Sequence, residues 1–546
     1  MRRLTFDQNR CLACRSCEVA CALAHSSTEN LTLALDETPV PRRRVEMRSG
    51  PGGLEALRCE QCDEPLCVFA CKSGALARDY VTGRNTFDEE RCVGCAMCLM
   101  VCPFGPRLDP VRHRVVRCDA CADRETPACV VACPTRALGA RDEPRVAETS
   151  DFSGHLVVVG SSAAGIAACE AAREGAPGAR ITLVTADDEP RYSRPLLAYA
   201  LAGRVDAIDW RAAEFLEKAL EVEVFAGARA TSLRTDTRTL GLGDGREISY
   251  DALVIATGAR GQRLGVPGAD LPGVFTLRDI EDLRGIERIA RPGRPAVVVG
   301  GGNVGLQAAE ALSERGLSVT VVLRSPHLLS QMVDGEAGRR VGVLFSEHRL
   351  GLRPGRDPVE ILGNERVTAV KLDDGELLEA DLVVVGKGIV PNVEWLEGSG
   401  VEVGRGVRVD RSGRTNVPGV FAAGDCAETT DPLTGTSTVS GIWPVAYEMG
   451  RAAGSAAVGL HRPSAGALRL NASKFFGRTI ISIGEVREDR LPDARALVLE
   501  SSSDVYKKLV YRDDRLVGAL LYGDIAQAGE YYRLYREAVT RPLERE

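Results

Sequence analysis

Sixteen of the eighteen cysteines in this 546-residue chain lie in its first quarter, in four runs of four. The runs are Cys11, Cys14, Cys17, Cys21; Cys59, Cys62, Cys67, Cys71; Cys92, Cys95, Cys98, Cys102; and Cys118, Cys121, Cys129, Cys133. Three closely spaced thiolates followed by a fourth after three residues let one loop hold three corners of a cubane cluster and lend its last cysteine to a neighbouring one. Disulfides would need an oxidising compartment, and zinc sites gather cysteines as two separated pairs, so both fit a triplet plus one poorly. The second and fourth runs widen the middle gap to four and seven residues, and the number of clusters rests on them least.

The first run, C-x2-C-x2-C-x3-C, and the third, which ends Cys102-Pro103, match the bacterial ferredoxin spacing. Residues 1 to about 145 resemble the four-cluster ferredoxin subunits that accompany CO dehydrogenases, formate hydrogenlyases, and molybdenum or tungsten oxidoreductases. The stretch from Cys11 to Val45 resembles the CO dehydrogenase-associated branch most. That resemblance implies four 4Fe-4S clusters with exchanged ligands. Cys11, Cys14 and Cys17 would take Cys133, while Cys118, Cys121 and Cys129 would take Cys21. Cys59, Cys62 and Cys67 would take Cys102, and Cys92, Cys95 and Cys98 would take Cys71.

The formal charge of -7 counts every thiol as neutral, and each oxidised cubane adds about two negative charges, which argues against nucleic acid as a partner. The run Arg42-Arg43-Arg44 reads as a solvated face, with docking of an acidic redox partner as the alternative. No apolar stretch approaches the roughly 20 residues of a membrane span, and no hydrophobic segment follows Arg2-Arg3, so a cytoplasmic location is expected. Cys169 and Cys426, outside the four runs, read as small buried residues.

After the polar segment Arg141 to Arg145, read as a linker, the texture changes to strand, glycine turn and helix. The apolar strand His155 to Val159 runs into Gly160, Ser161, Ser162, Ala163, Ala164 and Gly165, the layout in which a helix N-terminus faces a pyrophosphate; Ser162 replaces the usual middle glycine. A second copy runs from Ala296 to Val299 into Gly300, Gly301, Gly302, Asn303, Val304 and Gly305, followed by a helix to about Arg315 and a strand from Ser318 to Leu323. Between them lies Thr257-Gly258-Ala259, and after them Gly424-Asp425-Cys426.

In order, these four segments resemble the FAD site, connecting ATG motif, nicotinamide site and closing G-D motif of the pyridine nucleotide-disulfide oxidoreductases. Pro190 to Gly203, with Arg194 and Pro195, then Gly441 to Pro444 around Trp443, and Lys474 to Gly477 resemble the branch of rubredoxin reductases and nitrite reductase flavin domains. There Asp425 is expected at the ribityl or phosphate part of FAD, a turn residue being the alternative. The C-x4-C pair of disulfide reductases is missing, which argues against thiol reduction. Arg324, at the end of the second strand of the second copy, either suits a 2′-phosphate and so NADP, or faces solvent. In the first copy Asp187, Asp188 and Glu189 all remain candidates for the adenosine ribose.

The expected fold is multidomain α/β. An N-terminal ferredoxin-like iron-sulfur domain (1–148) precedes two Rossmann-like three-layer domains, for FAD (153–265 and 396–456) and for NAD(P) (266–395). A small α+β interface domain (460–546) closes the chain, with a hairpin of Tyr506 to Tyr511 and Arg515 to Tyr522 and a helix near Gln527 to Val539. The resemblance implies a homodimer formed through this last domain. The expected cofactors are FAD, NAD(P)H and the four clusters. The expected activity moves electrons between them for a redox partner such as CO dehydrogenase or a tungsten or molybdenum oxidoreductase. Alternatives are a stand-alone reductase of sulfur, polysulfide or nitrite, and a non-catalytic scaffold. No catalytic side chain is assigned.

Overall fold

The structure is a computed structural model that describes residues 2–50, 52–80, 82–143, 148–189, 191–211 and 214–540. Two compact units result, Met1–Ala147 with Ile525–Leu534, and Glu148–Asp524 with Tyr535–Glu546.

The first unit has little regular structure beyond three short hairpins and five short helices between Ser16 and Val131. Four of those helices serve the cysteine runs in one way. Ser16–Leu23, Leu66–Phe69, Met97–Val101 and Ala128–Val131 each carry the third cysteine of a run as their second residue. The fourth cysteine follows four positions later, at the end of about one helical turn. The widened gaps of the second and fourth runs are absorbed before the helix, where Pro65 and Pro127 stand at the N-cap.

Strand Arg2–Phe6 pairs antiparallel with Leu138–Asp142, Arg2 opposite Asp142 and Arg3 opposite Arg141. The segment read as a linker therefore begins inside a strand, because Arg141 and Asp142 complete that ladder; Pro144 and Arg145 lie outside the described residues. The run Arg42-Arg43-Arg44 is not a free basic face either. Arg42 pairs with Asp109 at 3.7 Å, Arg43 with Glu18 at 3.3 Å and Arg44 with Asp119 at 2.5 Å.

In the second unit a parallel sheet runs in the order 222–225, 180–184, 155–159, 252–255, 420–422. A second parallel sheet runs 274–275, 382–385, 295–299, 318–323, 351–354. The central strands His155–Val159 and Pro295–Val299 are nearly continuous apolar runs because both faces of such sheets are buried. In the second sheet Val298 clusters with helix residues Leu306 and Leu312, and Val297 and Val299 with Ile361, Val367 and Val370 of the small antiparallel sheet 358–363, 367–372, 377–379. In both sheets the glycine loop leaves the central strand where the order switches sides, which opens a crevice at the strands' carboxyl ends.

The small C-terminal sheet has the order 470–475, 478–484, 515–522, 506–512, 495–501. Its expected hairpin turns at Asp513 and Asp514, with φ of 50° and 56°, the left-handed pair that a two-residue hairpin needs. The helix Ala528–Thr540 is also present, but Ile525–Leu534 cluster with the first unit and not with the interface domain to which 460–546 was assigned. Gly529 explains this: a Cβ there would come 2.1 Å from the Cys102 carbonyl oxygen, so the missing side chain lets the helix's first turn lie on that backbone. Periodicity identifies such a helix without naming its neighbour. Among the described residues no helix is long and apolar enough to cross a membrane.

Helices Ala163–Gly175 and Trp443–Ala457 lie in close contact because Gly450 and Gly454 have no side chain: a Cβ there would come 2.1 and 2.2 Å from the carbonyl oxygens of Ala164 and Ala168. Glu170, fully buried between them, accepts hydrogen bonds from the Tyr447 hydroxyl and from Arg211 at 3.1 Å. Tyr447→Phe leaves a buried carboxylate one donor short and is expected to cost about 1–3 kcal/mol, read as a lower denaturation midpoint with an unchanged m-value.

Candidate functional site

In the first unit cysteines from different runs lie near one another. Cys14 feels the charge of Cys133, and Cys17 that of Cys11. Cys11, Cys14, Cys17 and Cys133 line one small cavity with Leu12, Arg15 and Pro134. Cys129 faces Cys118, Cys21 and Cys121. Cys102 faces Cys67 and Cys59, and Cys62 faces the same two. Cys92 and Cys98 both face Cys95 and Cys71. Cys133 near Cys14, Cys21 near Cys129, Cys67 near Cys102 and Cys71 near Cys98 are the neighbours from different runs that the implied exchange requires.

Around the groups, backbone amides point at sulfur. Ala13, Gln61 and Ala120 each donate to the first cysteine of their own run at 3.4 Å. All three have positive φ, between 47° and 57°, which turns the loop around its thiolate. Leu76 and Ala137 donate to Cys71 and Cys133, and Arg44 to Cys21, each at 3.2 Å. Burial pushes the Cys17 and Cys62 thiols up to about 11 and Cys118 up to about 12, with Cys98 and Cys129 higher still. Thiols this reluctant to ionise become thiolates when a metal claims them, and the donor set of four sulfurs per group with amide partners fits an iron-sulfur cluster.

In the second unit a cavity of about 700 Å³ opens at the switch point of the first parallel sheet. Gly160, Ser161, Ala164, Arg194, Pro195, Thr257, Gly258, Gly424, Asp425 and Trp443 all line it. Gly165 does not, although the sequence placed it with the cofactor. A Cβ there would sit 1.8 Å from the Gly160 carbonyl oxygen, so this glycine closes loop on helix from below. Asp187 lines the cavity, while Asp188 and Glu189 do not; Glu189 pairs with Arg284.

Asp425 is held by Arg278 at 2.5 Å and also lies in the field of Arg194, itself paired with Asp187 at 3.0 Å. Arg278, Asn392, Glu394 and Trp395 are wall residues that sequence reading missed. Tryptophan was the available signal. Of three in the chain, Trp395 and Trp443 line the cavity, and Trp210 meets Trp443 edge-on at 5.0 Å. The indole nitrogens of Trp395 and Trp443 are buried without a hydrogen-bond partner, as expected of donors that await an acceptor on a bound group. The size, the glycine cradle and these donors fit FAD.

The second glycine loop repeats the first. Gly300 has φ +121° and Gly305 would clash with the Gly300 carbonyl at 2.1 Å, whereas a Cβ on Gly302 would meet nothing nearer than 3.9 Å. The middle position is therefore open to a ligand and not closed by protein, which is why the first copy tolerates Ser162 there. Asn303 is engaged by the Ser473 hydroxyl at 2.7 Å, and Val304 is exposed. Arg324 points outward, 79% exposed, and shares Asp357 with Lys387. Cys169 and Cys426 are fully buried, Cys426 donating to the carbonyls of Ile255 and Ala423.

Residues 154–450 match the pyridine nucleotide-disulphide oxidoreductase profile, residues 54–143 a 4Fe-4S dicluster domain, and residues 470–538 the rubredoxin NAD+ reductase C-terminal domain. The dicluster match spans the last three cysteine runs and leaves out the first. The chain is 30% identical over 373 residues to the assimilatory nitrate reductase electron transfer subunit of Bacillus subtilis, covering 68% of this chain and 47% of that one. It is 32% identical over 364 residues to the NADH-dependent phenylglyoxylate dehydrogenase subunit epsilon of Aromatoleum evansii, covering 66% and 85%. Among solved structures, the NAD-dependent persulfide reductase of A. fulgidus superposes with a TM-score of 0.67 at 28% identity, over 71% of this chain and 77% of that one. The chain spans about half the length of the first of these relatives. Two glycine loops on parallel sheets, a cavity at the first switch point and a profile match over residues 154–450 lead to one assignment: the chain belongs to the pyridine nucleotide-disulphide oxidoreductase family.

Proposed function

We propose that this chain is an NAD(P)H-dependent oxidoreductase that holds FAD in its second unit and four 4Fe-4S clusters in its first, and serves a separate catalytic partner. The observation that carries it is the four runs of four cysteines, each with its third cysteine at the start of a short helix, in a chain that also carries the flavin-type cavity. A flavin accepts a hydride from a nicotinamide and releases its electrons singly, which is the conversion that joins such a cofactor to iron-sulfur groups.

The side chains and backbone at the cavity have binding and shielding roles. Amides of the Gly160–Ala164 loop and the helix that starts at Ala163 would meet a pyrophosphate, and Asp187 an adenosine ribose. Asp425, held by Arg278, would accept from the ribityl hydroxyls. Trp443 and Trp395 would donate to the ring system and keep water from it. In the second loop Gly300, Gly302, Asn303 and Val304 would cradle the nicotinamide dinucleotide, with Gly305 closing the loop on its helix as Gly165 does in the first. The partner best suited to the reading is a CO dehydrogenase or a tungsten or molybdenum oxidoreductase, from the resemblance of Cys11 to Val45. Association of two copies through the C-terminal domain belongs to the same proposal.

Anaerobically purified protein is expected to hold close to one FAD and about sixteen irons per chain, and NAD(P)H is expected to reduce a viologen through it. Absence of flavin, or flavin reduction with no change in the cluster spectrum, would overturn the reading. A stand-alone reductase of a small acceptor has support in the names of relatives, yet the two cysteines beyond residue 148, Cys169 and Cys426, are fully buried, so covalent thiol chemistry there has no accessible nucleophile.

Nucleotide choice has its own test. Arg324, just past strand Ser318–Leu323, and Lys387 both pair with Asp357, and a 2′-phosphate would take the place of that carboxylate on Arg324. Arg324→Ala is expected to raise KM for NADPH about tenfold and to leave KM for NADH within about twofold, the loss of one charge-assisted contact. An equal effect on both nucleotides would remove Arg324 from that role.

A further inference from the structure

Arg117 precedes Cys118 in sequence, but its guanidinium serves a different group of cysteines. Nη2 donates to Cys59 Sγ at 2.9 Å, and against the cost of burial the neighbouring Cys59, Cys67 and Cys102 favour its charged form. The residue is only 6% exposed, and Nη1 is buried with no hydrogen-bond partner. Among the described residues no carboxylate pairs with Arg117. The cations near Cys21 differ: His25 and Arg44 share Asp119, which offsets them. An isolated guanidinium inside a protein is costly unless an anion faces it, and the groups facing this one are sulfurs that become thiolates when they hold a metal.

We propose that Arg117 is a positioning residue that raises the reduction potential of the cluster held by Cys59, Cys62, Cys67 and Cys102, and so makes that cluster an electron-holding site. The proposal rests on the four-cluster reading above. On reduction the cluster takes up one electron and becomes one charge more negative, while no bond to Arg117 forms or breaks. No proton moves, because a guanidinium stays protonated throughout. A fixed buried cation stabilises the more negative state, and its N–H···S bond acts in the same direction.

The test is a redox titration of the full-length, cluster-loaded protein followed by electron paramagnetic resonance, comparing wild type with Arg117→Gln and Arg117→Lys. In Arg117→Gln one cluster signal is expected to need at least tenfold stronger reducing conditions, a downward shift of about 59 mV for a one-electron couple. Arg117→Lys, which keeps the charge, is expected to recover more than half of that shift, with the other three signals unmoved. An unmoved potential at full iron content overturns the proposal, as does an equal shift of all signals. If Arg117→Gln loses iron, retention in Arg117→Lys supports the charge requirement, and loss in both variants overturns it. Wild-type protein short of about sixteen irons fails the four-cluster reading itself, before any variant is compared.

Discussion

Alanine at Cys71 and alanine at Cys98 are expected to erase one and the same cluster, although the two residues sit in different sequence runs. Alanine at Cys102 should instead erase the cluster lost in Cys67→Ala. Each variant is expected to fall from about sixteen irons to about twelve where the cluster is lost, or to about fifteen where a three-iron remnant stays. NAD(P)H-driven viologen reduction should drop at least tenfold, while turnover with an acceptor that takes electrons at the flavin stays unchanged. Iron analysis together with the paramagnetic resonance spectrum of each reduced variant reads the outcome. The physical basis is the helical step: the third cysteine is the second residue of a short helix and the fourth lies one turn on, facing another group. A shared signal lost in Cys71→Ala and Cys67→Ala would show that each run keeps its own four ligands and would end the exchange assignment.

Gly165→Ala is expected to give protein that folds but purifies with little FAD. The added Cβ would lie 1.8 Å from the Gly160 carbonyl oxygen, a distance that no side-chain motion relieves because both atoms belong to backbone or its first carbon. Overpacking of this kind costs about 1–3 kcal/mol and is relieved by lifting the loop off the helix, which spoils the amide cradle. Flavin absorbance per chain measures it. Gly305→Ala, with its clash of 2.1 Å at Gly300, is the paired experiment: FAD should stay and reduction by NAD(P)H should fall at least tenfold. Full FAD content in Gly165→Ala would show that the loop has slack the geometry does not reveal.

Much of the fold could be read before any coordinates. Strand His155–Val159 falls where a continuous apolar run placed it, because a parallel strand buried on both faces has few polar positions to blur it, and Ser318–Leu323 follows the second glycine loop and helix as expected. The wall of the flavin-type cavity was harder to read. Arg278, Asn392 and Trp395 come from segments with no glycine signature, brought to the cavity only by the crossing of chain between the two sheets. Arg141 and Asp142 looked like linker because a closing strand of charged residues carries no apolar alternation.

By itself the sequence determined which chemistry the chain can support. Cysteine spacing commits the first quarter to clusters, and two strand, glycine-loop and helix units commit the rest to dinucleotides, because both signals are local geometry written in a few adjacent residues. Only the tertiary structure decided which partners those residues meet. It brought Cys71 near Cys98 and Cys67 near Cys102, gave Gly165 a packing role in place of a cavity one, and set Arg117 against Cys59 of another run. It also gave Ile525–Leu534 to the first unit. Each of these depends on contacts between residues far apart in the chain, and such contacts are set by packing and by the balance of buried charge, which no short stretch of sequence encodes.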